Sequence, residues 1–458
     1  MTKYKTYISL AFLSFILFFW RLGVVPLMGL DESLYAEVSR QMTARSNYIV
    51  PFFNGEYFFD KPPLVYWMQA VCIKIFGVNS FAVRLPSAIC AICLVFFVNW
   101  LGNKLFNPRT GFISAVILAT CILSTALARL AIIDMVFTLF ITISLSMFLL
   151  CYLKKLNSKF YLFAWAAAGF SVMTKGPAGI VLIGLVILAF LLMKRDIKSL
   201  FKPIHLLGFL LFLAISVPWF LLVQKATNGV FFNEFFLHQN LERAAGKDFG
   251  HNFPIYSYIP IYFITFAPWS FCIISAWRKQ VKLKPENDEQ KTALFLAIWI
   301  SVIFIVFTLI ISKLIGYIYP FYPAAALLIG YWFDKAIVQN EAKYRKLFIK
   351  LQVITLVILI SAIVFGLPMQ AKKSGVISYE VGKLIANEPQ INNIYAYNLA
   401  KETALPFYTG KKVYYINDVK IPTLSNHDAI IVPAGEVVSL VNLKFYKKTD
   451  ELQIWVGK

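Results

Sequence analysis

Charge is scarce in this 458-residue chain, at 15% of positions, and acid is scarcer still, with 23 Asp and Glu against 44 Lys and Arg. With 59% of residues hydrophobic, too little polar surface remains to clothe an ordinary soluble domain. Cysteines placed to form disulfides are also lacking. All six, Cys72, Cys90, Cys93, Cys121, Cys151 and Cys272, lie in or beside apolar segments, which argues against a disulfide framework. Cys90 and Cys93 have CxxC spacing, but inside an apolar span they read as packing rather than as a redox or metal pair. No internal repeat and no low-complexity tract stands out. The basic start of the first apolar segment, Ile8 to Val25, resembles a signal peptide, yet no convincing small-residue cleavage site follows, so it reads as a retained helix.

What the chain has in quantity is apolar length. Runs able to cross a bilayer recur at about 7–25, 84–101, 111–128, 134–152, 160–173, 177–193, 204–223, 257–276, 292–311, 320–337 and 347–366. The net charge of +21 would suggest nucleic acid in a soluble protein, but the basic residues sit in short gaps between these runs. Lys3 and Lys5 precede the first. Later gaps carry Lys104 and Arg109; Lys154, Lys155 and Lys159; Lys194, Arg195, Lys198 and Lys202; Arg278 to Lys284; and Lys335 to Lys346. These gaps alternate with gaps poorer in Lys and Arg, the pattern of the positive-inside rule. The excess therefore reads as topology, with membrane lipids and not nucleic acid as the partner. The expectation is an all-α polytopic membrane protein of about eleven transmembrane helices, with a cytoplasmic N-terminus and an extracytoplasmic C-terminus.

Residues 1–366 would form the membrane domain, with 26–83 as one long outer loop. Leu64 to Phe76 is apolar, but counting it as a crossing would move the basic gaps outside. Pro62, Pro63, Tyr66 and Trp67 suit an interfacial or re-entrant helix. Residues 367–458 mix β-rich stretches, Lys412 to Ile416 and Ala429 to Val432, with turn residues, and are expected to form a small α/β domain.

Polar chemistry collects in the outer segments. Asp31 and Glu32 open a stretch in which Asp31, Tyr35 and Ser39 share one helix face and Glu32, Ala36 and Arg40 the next. Two readings stand: a solvated interfacial helix with acids at its positive end, or a site. Asp60 and Lys61 form a second cluster, where a lysine at headgroup depth suits a phosphate or simply snorkels. Arg129 and Asp134 occupy a short turn between spans, as a mutual pair or as functional groups. Thr174-Lys175-Gly176-Pro177 breaks an apolar stretch and places a cation at the break, without the glycine spacing of a Walker A loop. His238 and Arg243 lie in the second outer loop, and Ser312-Lys313 with Tyr317 in another short turn. Arg can grip a phosphate through two hydrogen bonds, and His can ligate a metal.

Taken in order, these motifs resemble the bacterial lipid A aminoarabinose transferases, within the GT-C glycosyltransferases that include protein O-mannosyltransferases. The resemblance is carried by Asp31-Glu32 with Tyr35-Ala36, Asp60-Lys61-Pro62-Pro63-Leu64 with Tyr66-Trp67, Phe76-Gly77-Val78 and Arg84-Leu85-Pro86-Ser87. Arg129, Asp134, Thr174 to Pro177, His238, Arg243, Ser312-Lys313-Leu314 and Tyr317 continue it.

It implies transfer of a sugar, an aminosugar in the aminoarabinose enzymes, from undecaprenyl phosphate to lipid A on the periplasmic face of the inner membrane. Transfer to protein Ser or Thr is the alternative, and a secondary transporter the remote one. It also implies that Asp31 and Asp134 are the essential acids, and that Lys61 and Arg243 bind the donor phosphate. Lys175 and Lys313, cations at breaks between apolar runs, are read beside them as further phosphate contacts. Glu32, Tyr35, Arg129 and Tyr317 would then contact substrate. No cofactor is required for the chemistry, while Asp60 and His238 mark a possible structural zinc. The chain departs from the family at Leu34, where Arg is common, at Asp60, where Glu is common, and in a shorter C-terminal third.

Overall fold

The computed structural model describes residues 3–27, 29–236, 253–371, 376–385, 388, 390–399, 402–416, 425, 427–433, 443–448 and 452–457. Every apolar run identified above is helical, because a chain without water to satisfy its backbone must bond within itself. Among the described residues five helices are long and apolar enough to span a membrane singly: Ser80–Leu105, Asp134–Tyr152, Pro203–Ala226, Asp288–Leu309 and Glu341–Met369. The count is seven if two bent pairs are each one span, Pro108–Thr120 with Ile122–Ala128, bent by 66°, and Ile255–Thr265 with Trp269–Gln280, bent by 107°. The remaining runs form shorter or less apolar helices: Tyr4–Phe19, Tyr161–Lys175, Ala178–Lys194 and Tyr322–Gln339. The chain is thus a multi-pass membrane protein. Leu64–Phe76 is a separate 13-residue helix, shorter than a perpendicular crossing needs.

The chain divides into two compact units. The first comprises residues 1–20, 59–65 and 86–363, and holds most of the membrane helices. Asp134–Tyr152 packs against Tyr161–Lys175, which packs in turn against Pro203–Ala226. The first of these is buried nearly throughout, while Pro203–Ala226 turns Leu206, Leu207, Leu210 and Leu221 outward. Exposed leucines on a membrane helix are its lipid-facing surface. Pro108–Thr120 lies close against Tyr322–Gln339, since a Cβ at Gly330 would collide with the Ser114 hydroxyl.

The second unit comprises residues 21–58, 66–85 and 364–458. Its helix Leu30–Ala44 begins at Gly29 and is followed by a hairpin, β1 (Phe52–Phe53) and β2 (Glu56–Tyr57). The C-terminal part carries the five-stranded sheet: β3 (Asn393–Tyr397), β4 (Lys412–Ile416), β5 (Asp428–Pro433), β6 (Leu443–Lys448) and β7 (Leu452–Gly457), in the order β4-β3-β5-β7-β6. β3 runs parallel to β4 and β5, with Asn393 opposite both Lys412 and Asp428, and β7 runs antiparallel to β5 and β6. The apolar run of β5 is buried on both faces, as a central strand requires. Val381, Ile385, Ile394, Leu405, Val413, Ile431 and Ile454 fill the core beside it.

Candidate functional site

In the membrane unit, the break at Gly176 and Pro177 ends the helix Tyr161–Lys175, so that Lys175 stands in its last turn. Asp134 stands in the first turn of Asp134–Tyr152, where the helix dipole favours a carboxylate. The two meet: Lys175 Nζ donates to Asp134 Oδ1 at 2.7 Å, with both side chains largely shielded from solvent. The ammonium also lies 4.2 Å from the centre of the Tyr317 ring and 5.2 Å from that of Phe137, a cation–π setting that holds its charge in place. Gly316 backs the carboxylate, since a Cβ there would come within 2.9 Å of Asp134 Cγ.

Arg129 does not pair with Asp134, so the mutual pair, one of the two readings of the short turn, is not formed. Its Nη1 instead donates to the carbonyls of Leu17 and Trp20, at 3.1 and 2.9 Å, which satisfies acceptors exposed where the first helix unwinds. Lys61 Nζ donates to the Asp60 carboxylate at 3.0 Å and to the Asp60 carbonyl at 2.9 Å. Lys313 is buried and donates to the Ile310 carbonyl at 2.6 Å.

In the second unit, Asp31 is exposed in the first turn of Leu30–Ala44. Glu32 beside it is 2% exposed. Its two oxygens accept from Arg84 Nε and Nη2 at 2.7 and 2.8 Å, and the same guanidinium donates to the carbonyls of Leu22, Val25 and Pro26. Here Arg84 and Glu32 clamp the entry to the helix, whereas the sequence placed Glu32 among substrate contacts. Tyr35 is buried with its ring 5.7 Å from that of Tyr66. Ser39 donates to Gln69 at 2.6 Å, and the Ser33 and Thr403 hydroxyls share a hydrogen bond at 2.6 Å. The helix is therefore not the solvated one of the first reading: after Asp31 it is enclosed on most sides, because the C-terminal part and Leu64–Phe76 both pack on it.

Sequence reasoning gave no role to two residues that order this unit, Arg84, quoted only within a motif, and Tyr408. Arg84 lies 52 positions from Glu32, too far for any spacing rule to join them. The Tyr408 hydroxyl accepts from the Leu27 amide at 2.7 Å and shares a hydrogen bond with Ser80 at 2.9 Å. Burial raises its pKa above the ordinary tyrosine value, so it stays a neutral hydroxyl at physiological pH. His238 and Arg243 lie outside the described residues. Among the described residues no three His, Cys, Asp or Glu side chains are grouped to hold a metal.

Residues 60–221 match the family described as dolichyl-phosphate-mannose-protein mannosyltransferase. A protein named undecaprenyl phosphate-alpha-4-amino-4-deoxy-L-arabinose arabinosyl transferase, from Yersinia enterocolitica, is 31% identical over 318 residues, 67% of this chain and 55% of that one. An uncharacterized Aquifex aeolicus protein is 32% identical over 68% of this chain and 61% of its own length. The chain thus spans less than two thirds of the length of these curated relatives. The crystal structure of ArnT from Cupriavidus metallidurans bound to undecaprenyl phosphate superposes with a TM-score of 0.81 at 21% identity, covering 98% of this chain and 97% of that one. The archaeal oligosaccharyltransferase AglB from Archaeoglobus fulgidus reaches 0.57 at 13% identity, over 90% and 64%.

The fold is the one that the ArnT crystal structure shows over nearly the whole chain. In sequence the chain is similar to the dolichyl-phosphate-mannose-protein mannosyltransferase family over residues 60–221 and to the undecaprenyl phosphate-aminoarabinose arabinosyl transferases over about two thirds of its length.

Proposed function

We propose that this chain transfers a sugar, of the aminosugar class, from an undecaprenyl-phosphate donor to lipid A on the periplasmic face of the bacterial inner membrane, with its N-terminus in the cytoplasm and its C-terminus in the periplasm. The observation that carries this reading is the Asp134–Lys175 pair under Tyr317. Ionisable groups at a helix break are costly in a membrane protein and are kept where charged substrate must be met. The names of the relatives supply the donor class, and the motif resemblance supplies the acceptor.

The chemistry needs little from the protein. The bond between the anomeric carbon and the donor phosphate oxygen breaks, polyprenyl phosphate leaves with the electron pair, and the acceptor oxygen forms the new bond. Catalysis is then neutralisation of the leaving phosphate, alignment of the acceptor and exclusion of water. Lys61, Arg243, Lys175 and Lys313 supply positive charge to the phosphate, and Asp134 holds Lys175 in position. Arg129 and Tyr317 line the substrate path. Asp31 orients the acceptor. A hydroxyl acceptor would give its proton to Asp31, whereas a lipid A phosphate is already anionic and needs no base. Single displacement inverts the anomeric centre. A structural divalent ion, the role assigned to Asp60 and His238, would have to share Asp60 with Lys61.

Transfer to protein Ser or Thr is the second reading, favoured by the family match over residues 60–221. Mass spectrometry of lipid A and of secreted proteins, from strains with and without the gene, decides between them. Loss of a sugar mass from lipid A supports the proposal, and loss from protein alone replaces it.

A further inference from the structure

The second unit holds a cavity of about 250 Å³, unrelated to the residues given roles above. Its walls come from three places that the fold brings together: the end of the helix Leu30–Ala44, the turn between β1 and β2, and the approach to β4. Four cations line it, Arg40, Arg45, Lys411 and Lys412, and among the described residues no carboxylate does.

Their partners leave this charge largely uncompensated. Arg40 gives Nε and Nη2 to Glu37, at 2.7 and 2.8 Å. Arg45 lies 4.2 Å over the Phe52 ring, Lys412 lies 4.8 Å over Tyr414, and Lys411 donates to the Glu388 carbonyl at 3.2 Å. Among the described residues none of these three forms an ion pair. Like charges facing one small space repel, and an anion that enters it relieves the repulsion.

The turns keep the charges accessible. Gly55 and Gly410 have φ of 92° and 69°, conformations that favour glycine. A Cβ at Gly410 would lie 3.7 Å from Arg40 Nη1, and one at Gly55 3.9 Å from Arg45 Nη2. Gln41 also lines the cavity, and its Oε1 is buried with no hydrogen-bond partner among the described residues. That oxygen only accepts, so an anion alone leaves it unsatisfied. A ligand with a hydroxyl beside its phosphate answers both features.

We propose that this cavity binds a phosphorylated sugar, and that the sugar is the headgroup of the acceptor glycolipid. The cations take the phosphoryl oxygens and Gln41 takes a sugar hydroxyl. Arg40 lies nine residues beyond Asp31 on one helix, roughly 13 Å along its axis, so the held phosphate is not the reacting group. It anchors the acceptor at a distance while another part is presented for transfer. The choice of glycolipid rests on the transfer reading, but the anion site does not.

The test titrates full-length protein in nanodiscs with lipid A, with phosphatase-treated lipid A and with glucose 6-phosphate. Native protein is expected to prefer phosphorylated lipid A by about tenfold or more. The Arg45→Ala/Lys412→Ala double variant should lose that preference and raise KM for lipid A, while kcat at saturation and KM for the donor stay unchanged. Arg45→Lys/Lys412→Arg keeps the charge and should keep the preference. A double alanine variant that still discriminates overturns the proposal, as does loss of the preference in the charge-retaining variant. Glucose 6-phosphate binding as tightly as lipid A overturns the glycolipid assignment. A preference that depends on Arg45 and Lys412, in protein that transfers no sugar, keeps the site and rejects the transfer reading.

Discussion

Lys175 and Asp134, 41 residues apart in the chain, form a 2.7 Å ion pair between the end of one membrane helix and the start of another. Removing one partner strands the other's charge in a poorly solvated place, at a cost of about 3 kcal/mol, whereas removing both is far cheaper. Lys175→Ala should therefore lower thermal stability in detergent markedly. Adding Asp134→Ala should recover most of the stability but none of the sugar transfer. Thermal unfolding and turnover of the two variants check this.

Gly316→Ala should act through the same pair. The added methyl would sit 2.9 Å from Asp134 Cγ, so the carboxylate must move away. Misplacement on this scale costs about a hundredfold in rate where alignment is the catalytic device. Expected is a large fall in kcat with a small change in melting temperature, measured on the purified variant.

Glu32→Gln should read as a structural change. Glu32 is buried against Arg84, and a neutral amide cannot match both guanidinium N–H groups. Lower folded yield and melting temperature are expected, with KM unchanged in the protein that does fold. Arg84→Lys should be nearly as damaging, because one ammonium cannot replace a fork that also serves three carbonyls.

The membrane helices were legible because their signal is local: an apolar run of sufficient length folds into the same element wherever it lies. Lys412 to Ile416 and Ala429 to Val432 were legible as strands for a similar reason, and they form β4 and the centre of β5. Partnerships were not. Arg129 and Asp134 are five positions apart and could have been a pair, yet the cation that meets Asp134 comes from Tyr161–Lys175, and Arg129 is drawn to the carbonyls of the first helix. Asp31 and Glu32 are adjacent and chemically alike, but successive helix positions point about 100° apart, which leaves one exposed and the other buried. The burial of Tyr35 and Ser39 depended on packing by segments distant in sequence, which helical periodicity alone does not reveal.

Asp31→Asn should abolish transfer while the protein stays folded in membranes, because the amide keeps the size and shape of an exposed carboxylate and removes only its charge. Detergent-extracted protein of normal melting temperature with lost turnover is the expected pair of results. Near-normal turnover would remove Asp31 from the proposed role.

The central claim is transfer from a polyprenyl-phosphate donor to lipid A, and its most direct test is a purified reaction. Protein in nanodiscs is given an undecaprenyl-phosphate-linked aminosugar and lipid A, and both lipids are followed by mass spectrometry. The account predicts undecaprenyl phosphate and sugar-bearing lipid A appearing in equal amounts, with neither formed by Asp31→Asn. An intact donor in the presence of folded native protein would contradict it.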